Sequence, residues 1–142
     1  MAESTATTVW QGSLTKGSGV TSPASGAFND VEVTWASRTA RSAGKTSPEE
    51  LLAAAHASCF CMAFSLGLTE AGNEPERLET TATVTFIPGE GVKSSHIVVR
   101  GRVPGIDQAA FEEAARDASQ NCPISGALKG NLEITVEPTL ES

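Results

Sequence analysis

The chain has 142 residues and a formal net charge of −7. That length fits a single domain over residues 1–142. An acidic surface cannot neutralise phosphates, which excludes nucleic acid as a partner. Three cysteines are an odd number and too few for a disulfide framework. "MAESTATTVW" carries neither a basic nor an apolar leader region, so the expected compartment is the cytoplasm, where thiols stay reduced.

The first third reads as strands. In "TTVWQGSL", Thr8, Trp10, Gly12 and Leu14 share a face; "GSGVTS" follows; and "DVEVTW" sets Val31, Val33 and Trp35 against Glu32 and Thr34. Residues 36–46, "ASRTARSAGKT", show no period and read as a loop. "SPEE" then announces a helix. Ser47 fits the N-cap, Pro48 the first helical position, and Glu50 the far end of a capping box. This leaves Glu49 without a capping role. The helix is expected to run to about Glu70 and stop at Gly72.

Leu51 to Leu68 carries no formal charge. The stretch is marginal in length for a membrane span, holds a His and two Cys, and has no basic flank, so a buried core helix is the expectation and no membrane is implied. "LETTATVTFI" and "HIVVRGRV" alternate apolar and polar residues and are expected to pair as an antiparallel hairpin around "PGEGVKSS". Asp107 caps a second helix, with Ile106 and Phe111 as a hydrophobic staple and Phe111, Ala114, Ala115 and Ala118 as its buried stripe. Pro123 ends that helix before Cys122. "NLEITVEP" alternates Leu132, Ile134 and Val136 against acidic and Thr positions as the last strand. The predicted order is β-β-β-α-β-β-α-β, an α+β chain with antiparallel sheets. A helix apolar all round needs cover on every side, and a second copy of the chain would supply it.

The thiols carry the chemical question. Cys59 and Cys61 lie two apart on the helix, a rotation of about 200°, so they face opposite sides and share neither a metal nor a bond. His56, Cys59 and Cys122 make only three soft ligands where structural zinc wants four. Cys61 reads as a small core residue. For Cys59 and Cys122, core packing and redox chemistry both stay open: Cys59 sits on a packed helix and Cys122 on an expected mobile loop, an arrangement that suits an attacking and a resolving thiol. A reactive Cys59 needs a cation to lower its pKa from the ordinary value of ~8.5. Twelve residues from the N-cap it gains nothing from the helix dipole. Arg38, Arg41 and Lys45 are the candidates, with Glu49 the carboxylate free to orient an arginine. His56 reads as a satisfied polar residue or a base towards Cys59, and His96 as a surface residue at a strand start.

"TSPEELLAAAHASCFCMAFS" followed by "NCPISGAL", together with "VTWASR", "VPGID" and the element order, resembles the OsmC/Ohr family (osmotically inducible protein C and organic hydroperoxide resistance proteins), closest to the OsmC branch. The resemblance implies antiparallel sheets wrapped around long central helices in an intertwined homodimer with two interfacial sites. It also implies a thiol-dependent peroxidase in oxidative and osmotic stress defence, acting on organic hydroperoxides and less well on hydrogen peroxide. By position, Cys59 matches the peroxidatic cysteine, Cys122 the resolving one, Arg38 the family arginine and Glu49 its carboxylate. Cys59 would pass through a sulfenic acid to a Cys59–Cys122 disulfide, and an external dithiol, possibly on a dihydrolipoyl-type reductant protein, would restore it. No metal, haem or flavin is implied. Phe60, Met62, Phe64 and Ile124 are candidates to hold an organic tail or to fill the core. The alternative is a non-catalytic redox sensor or ligand-binding relative of the same fold.

Helix geometry adds one constraint. Glu49 and Cys59, ten residues apart on one helix, stand about 15 Å apart along its axis. One arginine bound to Glu49 cannot also touch the Cys59 sulfur of the same helix, so a site using both draws one member from a second chain.

Overall fold

The structure, a computed structural model, describes residues 1–40 and 43–141. β1 (Ala6–Gln11), β2 (Ser18–Pro23) and β3 (Val31–Val33) form one antiparallel sheet in that order. Gly12, at φ 93°, turns the chain out of β1, so Leu14 falls outside the strand where alternation placed it. β3 also ends early. Thr34 caps a short helix, α1 (Trp35–Thr39), in place of a strand running through Trp35. The Thr34 hydroxyl accepts from the Ser37 amide at 3.0 Å, and the Ser37 hydroxyl accepts from the Thr34 amide at 2.9 Å. Five residues are too few to display a helical period, so the expected loop hid this element.

α2 (Pro48–Glu70) has the expected bounds, and Gly72 follows it at φ 86°. Ser47 accepts the Glu50 amide at 3.1 Å. The reciprocal half of the capping box is not made: the Glu50 carboxylate takes the Thr46 hydroxyl at 2.7 Å. α2 is long and apolar enough to cross a membrane by composition. His56, Phe60, Phe64 and Leu68, four apart along one stripe, are nevertheless buried against β4 (Arg77–Ile87), α3 (Gln108–Asn121) and their neighbours, as in a core helix. Phe60, Phe64 and Phe111 stack in sequence, with ring centroids 5.6 and 4.9 Å apart. The opposite face is open: Met62 is 73% exposed and Leu66 61%.

β4 and β5 (Gly91–Arg102) make the expected antiparallel hairpin, with β5 starting five residues before His96. β6 (Glu133–Leu140) then pairs with β5 in parallel, where hairpin-rich patterning predicts an antiparallel neighbour. The reason is the connection. α3 and a further short helix, α4 (Pro123–Leu128), carry the chain back across the sheet, as a parallel pairing requires. The α+β class stands with this one parallel ladder.

Gly101 of β5 lies against α3, where a Cβ would meet the buried Phe111 ring at 2.6 Å. Gly101→Ala is therefore expected to cost about 1–3 kcal/mol by overpacking, read as a lower urea midpoint, and Phe111→Leu in the same chain should recover part of it. An unchanged midpoint would show that the ring yields freely. His56 supplies a second expectation. Burial lowers its pKa from the ordinary 6.5, so the unfolded chain binds a proton that the folded chain refuses. Stability is then complete above the unfolded value and falls as pH drops through it. Urea midpoints should decline between about pH 7.5 and about pH 5.5, and His56→Gln should flatten that part of the slope.

Candidate active site

Two clusters of side chains lie at different levels of α2. The first forms where α1 meets the start of α2. The Ser37 hydroxyl donates to the Thr46 carbonyl at 2.8 Å and ties the two helices together. Arg38, in the last turn of α1, then reaches Glu49. Its Nη2 donates to Oε1 at 2.8 Å and its Nε to Oε1 at 2.9 Å and Oε2 at 3.2 Å. Glu49 is buried, and the guanidinium lies 4.2 Å from the centroid of the Phe86 ring and is about a third exposed. A flat cation between an aromatic face and a buried carboxylate has little freedom to swing. Its Nη1 is unused among the described residues. Lys45 pairs instead with Glu32 at 3.4 Å. Arg41, the other loop arginine, lies outside the described residues.

The second cluster holds the thiols. Cys59 Sγ, on α2, lies 3.0 Å from Cys122 Sγ, and the two are free cysteines. Cys122 is not on a mobile loop, as the sequence led us to expect. Pro123, as the first residue of α4, restarts a helix at once, so Cys122 is both the C-cap of α3 and the N-cap of α4. Its amide donates to the Ala118 carbonyl and its carbonyl accepts from Gly126. It is 1% exposed, while Cys59 is half-buried.

The two thiols are shifted in opposite directions. Burial, then the hydrogen bond with Cys122, raises the pKa of Cys59 against a smaller opposite pull from the Ile124 amide. Burial also opposes charge on Cys122. There it is outweighed by the hydrogen bond shared with Cys59 and by the polar groups at the start of α4, and the pKa falls. Within one chain burial thus works against charge on Cys59, and no cation among the described residues lowers its pKa.

Arg38 meets Glu49, and Cys59 meets Cys122, but the two pairs do not meet each other in one chain. Cys61 faces the other way, as the 200° rotation requires, and donates to the Thr80 hydroxyl at 3.0 Å. His56 does not contact Cys59. Its Nδ1 bonds Ser95 Oγ at 2.6 Å and its Nε2 bonds Ser125 Oγ at 2.7 Å. The described residues hold no group of three or more His, Cys, Asp or Glu set to bind a metal. Phe60 and Phe64 belong wholly to the core, which leaves Ile124 and Met62, of the four apolar candidates, partly open to solvent. His96 lies within β5, bonded to Thr135 and Glu137.

Ser95 and Ser125 were not singled out from the sequence. Ser125 had a signal, as the third residue after an N-cap position followed by proline; Ser95, in an expected turn, had none.

Comparison with known proteins places the chain in a family. A family model described as OsmC-like protein matches residues 41–137. The chain is 39% identical to peroxiredoxin OsmC of Escherichia coli over 136 residues, which cover 94% of this chain and 93% of that one. It is 33% identical to the organic hydroperoxide resistance protein of Xanthomonas axonopodis pv. citri over 97 residues, 64% of this chain and 65% of that one. In fold it matches the crystal structure of an OsmC-like protein from Mycoplasma pneumoniae with a TM-score of 0.75 at 19% identity, over 99% of each chain. On the family match and the near full-length identity, this chain belongs to the OsmC family.

Proposed function

We infer that this protein is a thiol-dependent peroxidase that reduces organic hydroperoxides in defence against oxidative stress. The observation that carries the reading is the pair of unbonded sulfurs 3.0 Å apart, one half-buried and one sealed. A disulfide needs about 2.05 Å, so an approach of roughly 1 Å joins them. Relatives named for peroxiredoxin activity and for organic hydroperoxide resistance support the same chemistry.

In this reading the Cys59 thiolate attacks the terminal oxygen of the hydroperoxide. The O–O bond breaks, the alkoxide leaves and takes a proton as alcohol, and Cys59 becomes a sulfenic acid. Cys122 condenses with it to a disulfide and water. An external dithiol, of dihydrolipoyl type, returns both thiols in the reducing cytoplasm.

The first step needs charge on Cys59, which one chain by itself disfavours. A second copy supplies the remedy. The exposed face of α2 carries Ala54, Ala55, Ser58, Met62 and Leu66, and the first sheet exposes Val9, Trp10 and Val20. Two such helices packed antiparallel about a two-fold axis near Ala54 would bring Glu49 of one copy level with Cys59 of the other. Arg38, held by Glu49, would then face the second copy's sulfur with its unused Nη1. The homodimer is thus part of the catalytic proposal, since neither chain holds a complete site.

The test is turnover of cumene hydroperoxide with a dithiol. Cys59→Ser should fall to background and Cys61→Ser should keep activity. Cys122→Ser should form a sulfenic acid that a dimedone probe captures, without a disulfide. Equal activity in all forms would leave a non-catalytic thiol protein. Arg38→Met should slow sulfenic acid formation by on the order of tenfold to a thousandfold, as a lost neighbouring cation shifts a pKa by ~1–3 units. Sedimentation should return twice the chain mass; an active monomer would refute the shared site.

A further inference from the structure

Aromatic side chains are scarce in this chain, five Phe and two Trp, and Phe60, Phe64 and Phe111 are spent on the core. Phe86 and Trp35 are not. Neither belongs to the core cluster or to the apolar side chains packed against it. Both are half-buried beside Arg38. The guanidinium carbon lies 4.2 Å from the centroid of the Phe86 ring and 5.9 Å from that of Trp35. Trp35 meets Phe86 edge to face, with the rings at 83° and their centroids 6.1 Å apart. Trp35 precedes Arg38 by three residues on α1, so the two side chains are neighbours on one side of that helix.

The sheet is adjusted at the same place. The β4–β5 register slips by one residue between Thr85 and Phe86, so Phe86 faces Val92. Without the slip Lys93 would stand opposite Phe86 on the same face and set an ammonium near the guanidinium. With it Lys93 is exposed and lies 3.9 Å from Glu90. The charged groups that wall the cavity beside Arg38 are Glu49 and Glu50 of α2, and β4 adds Ala82, Val84 and Phe86 from its inward row.

Glu49 holds Arg38 through Nε and Nη2, two donors in the plane of the guanidinium. Such bonds fix where the group sits in that plane. They leave it able to tilt about the line to the carboxylate, and tilt decides where Nη1 points. A ring over one face opposes the tilt, because a planar cation is drawn to the π surface and loses that contact on turning. The ring also keeps water off that face, so more of the charge is felt at the open edge.

We propose that Phe86, buttressed by Trp35, is a positioning residue for the proposed peroxidase: it sets the tilt of the Arg38 guanidinium and so aims Nη1 at Cys59 of the second copy. The inference rests on the peroxidase reading with its shared site, and deepens it by naming what orients the arginine beyond its carboxylate.

The test isolates Cys59. In a Cys61→Ser, Cys122→Ser background it is the sole thiol, and its ultraviolet thiolate absorbance can be titrated without peroxide. Phe86→Leu keeps apolar bulk and loses the π face; it should raise the midpoint by about one pH unit, a tenfold loss of thiolate at a given pH. Phe86→Tyr keeps the face and should restore the midpoint. In an Arg38→Met background Phe86→Leu should add nothing, since it acts only through the guanidinium. In the three-cysteine protein Phe86→Leu should slow sulfenic acid formation from cumene hydroperoxide about tenfold, with the same shift in its pH profile. Should Phe86→Leu not fold, Trp35→Leu removes the buttress and should shift the midpoint the same way by about half a unit, roughly threefold. The proposal is overturned if the midpoint stays put while Arg38→Met moves it, if Phe86→Tyr does no better than Phe86→Leu, or if the loss persists without Arg38. An Arg38→Met midpoint that does not move overturns the shared site as well. Failure of the peroxidase reading looks different: no sulfenic acid in the unmutated protein, whatever the titration shows.

Discussion

Glu49 and Cys59 ride on one straight helix, and no rotation of side chains closes the ~15 Å between them. The rest of the molecule is arranged around that separation. At one level, α1 exists to present Arg38: it is a single capped turn, pinned by Ser37 to the Thr46 carbonyl, with its arginine against Phe86. At the other, α3 and α4 exist to hold Cys122 against Cys59. Each half is rigid, so completing the site by a hinge within one chain would mean breaking a buried ion pair or unwinding a capped helix. Packing a second helix on the open face of α2 breaks nothing and also covers Met62 and Leu66. In the proposed dimer the same burial would serve stability and chemistry.

That arrangement makes the reactivity of Cys59 conditional. In a lone chain, burial and a sulfur neighbour push its pKa up. A protonated Cys59 is a poor nucleophile towards peroxide. In the proposed dimer a guanidinium adds a charge whose effect is large in a half-buried place, where screening by water is weak. Charge then moves to the sulfur that substrate can reach, and Cys122 waits as the less exposed member. The unequal exposure of the two thiols matters as much as their distance: an oxidant arriving from solvent meets Cys59 first.

Long periodic elements were legible in the sequence. α2 announced itself through Ser47, Pro48 and the Gly72 stop, and the β4–β5 hairpin through strict alternation, because each has enough residues for its period to show. α1 and α4 escaped, being one turn or so each, and so did the parallel direction of β6, which depends on where α3 and α4 deliver the chain. Among candidate site residues, pairing followed helix angles: the opposed faces of Cys59 and Cys61, and the freedom of Glu49 from capping, are consequences of 100° per residue. The Glu50 side chain was misread for a related reason. The sequence rule fixed which amide Ser47 would cap, but Thr46 offered the Glu50 carboxylate a nearer donor. Ser95 had no local signal at all, since its role comes from a partner 39 residues away.

The Cys122–Pro123 junction shows how little motion the proposed chemistry requires. A proline after a helix is usually read as an exit to a loop, and a loop thiol implies a resolving step that swings through space. Here the proline opens a second helix instead, leaving a single residue between two helices with both its amide and its carbonyl bonded. The backbone at Cys122 has nowhere to go, and its sulfur is already beside its target. Condensation then becomes an adjustment of about 1 Å, with little entropy lost on closing the bond. The cost falls on packing. A thiol this buried is reached by a reductant only through the Cys59 side of the pair, so the same geometry that speeds disulfide formation directs its reduction to attack at Cys59.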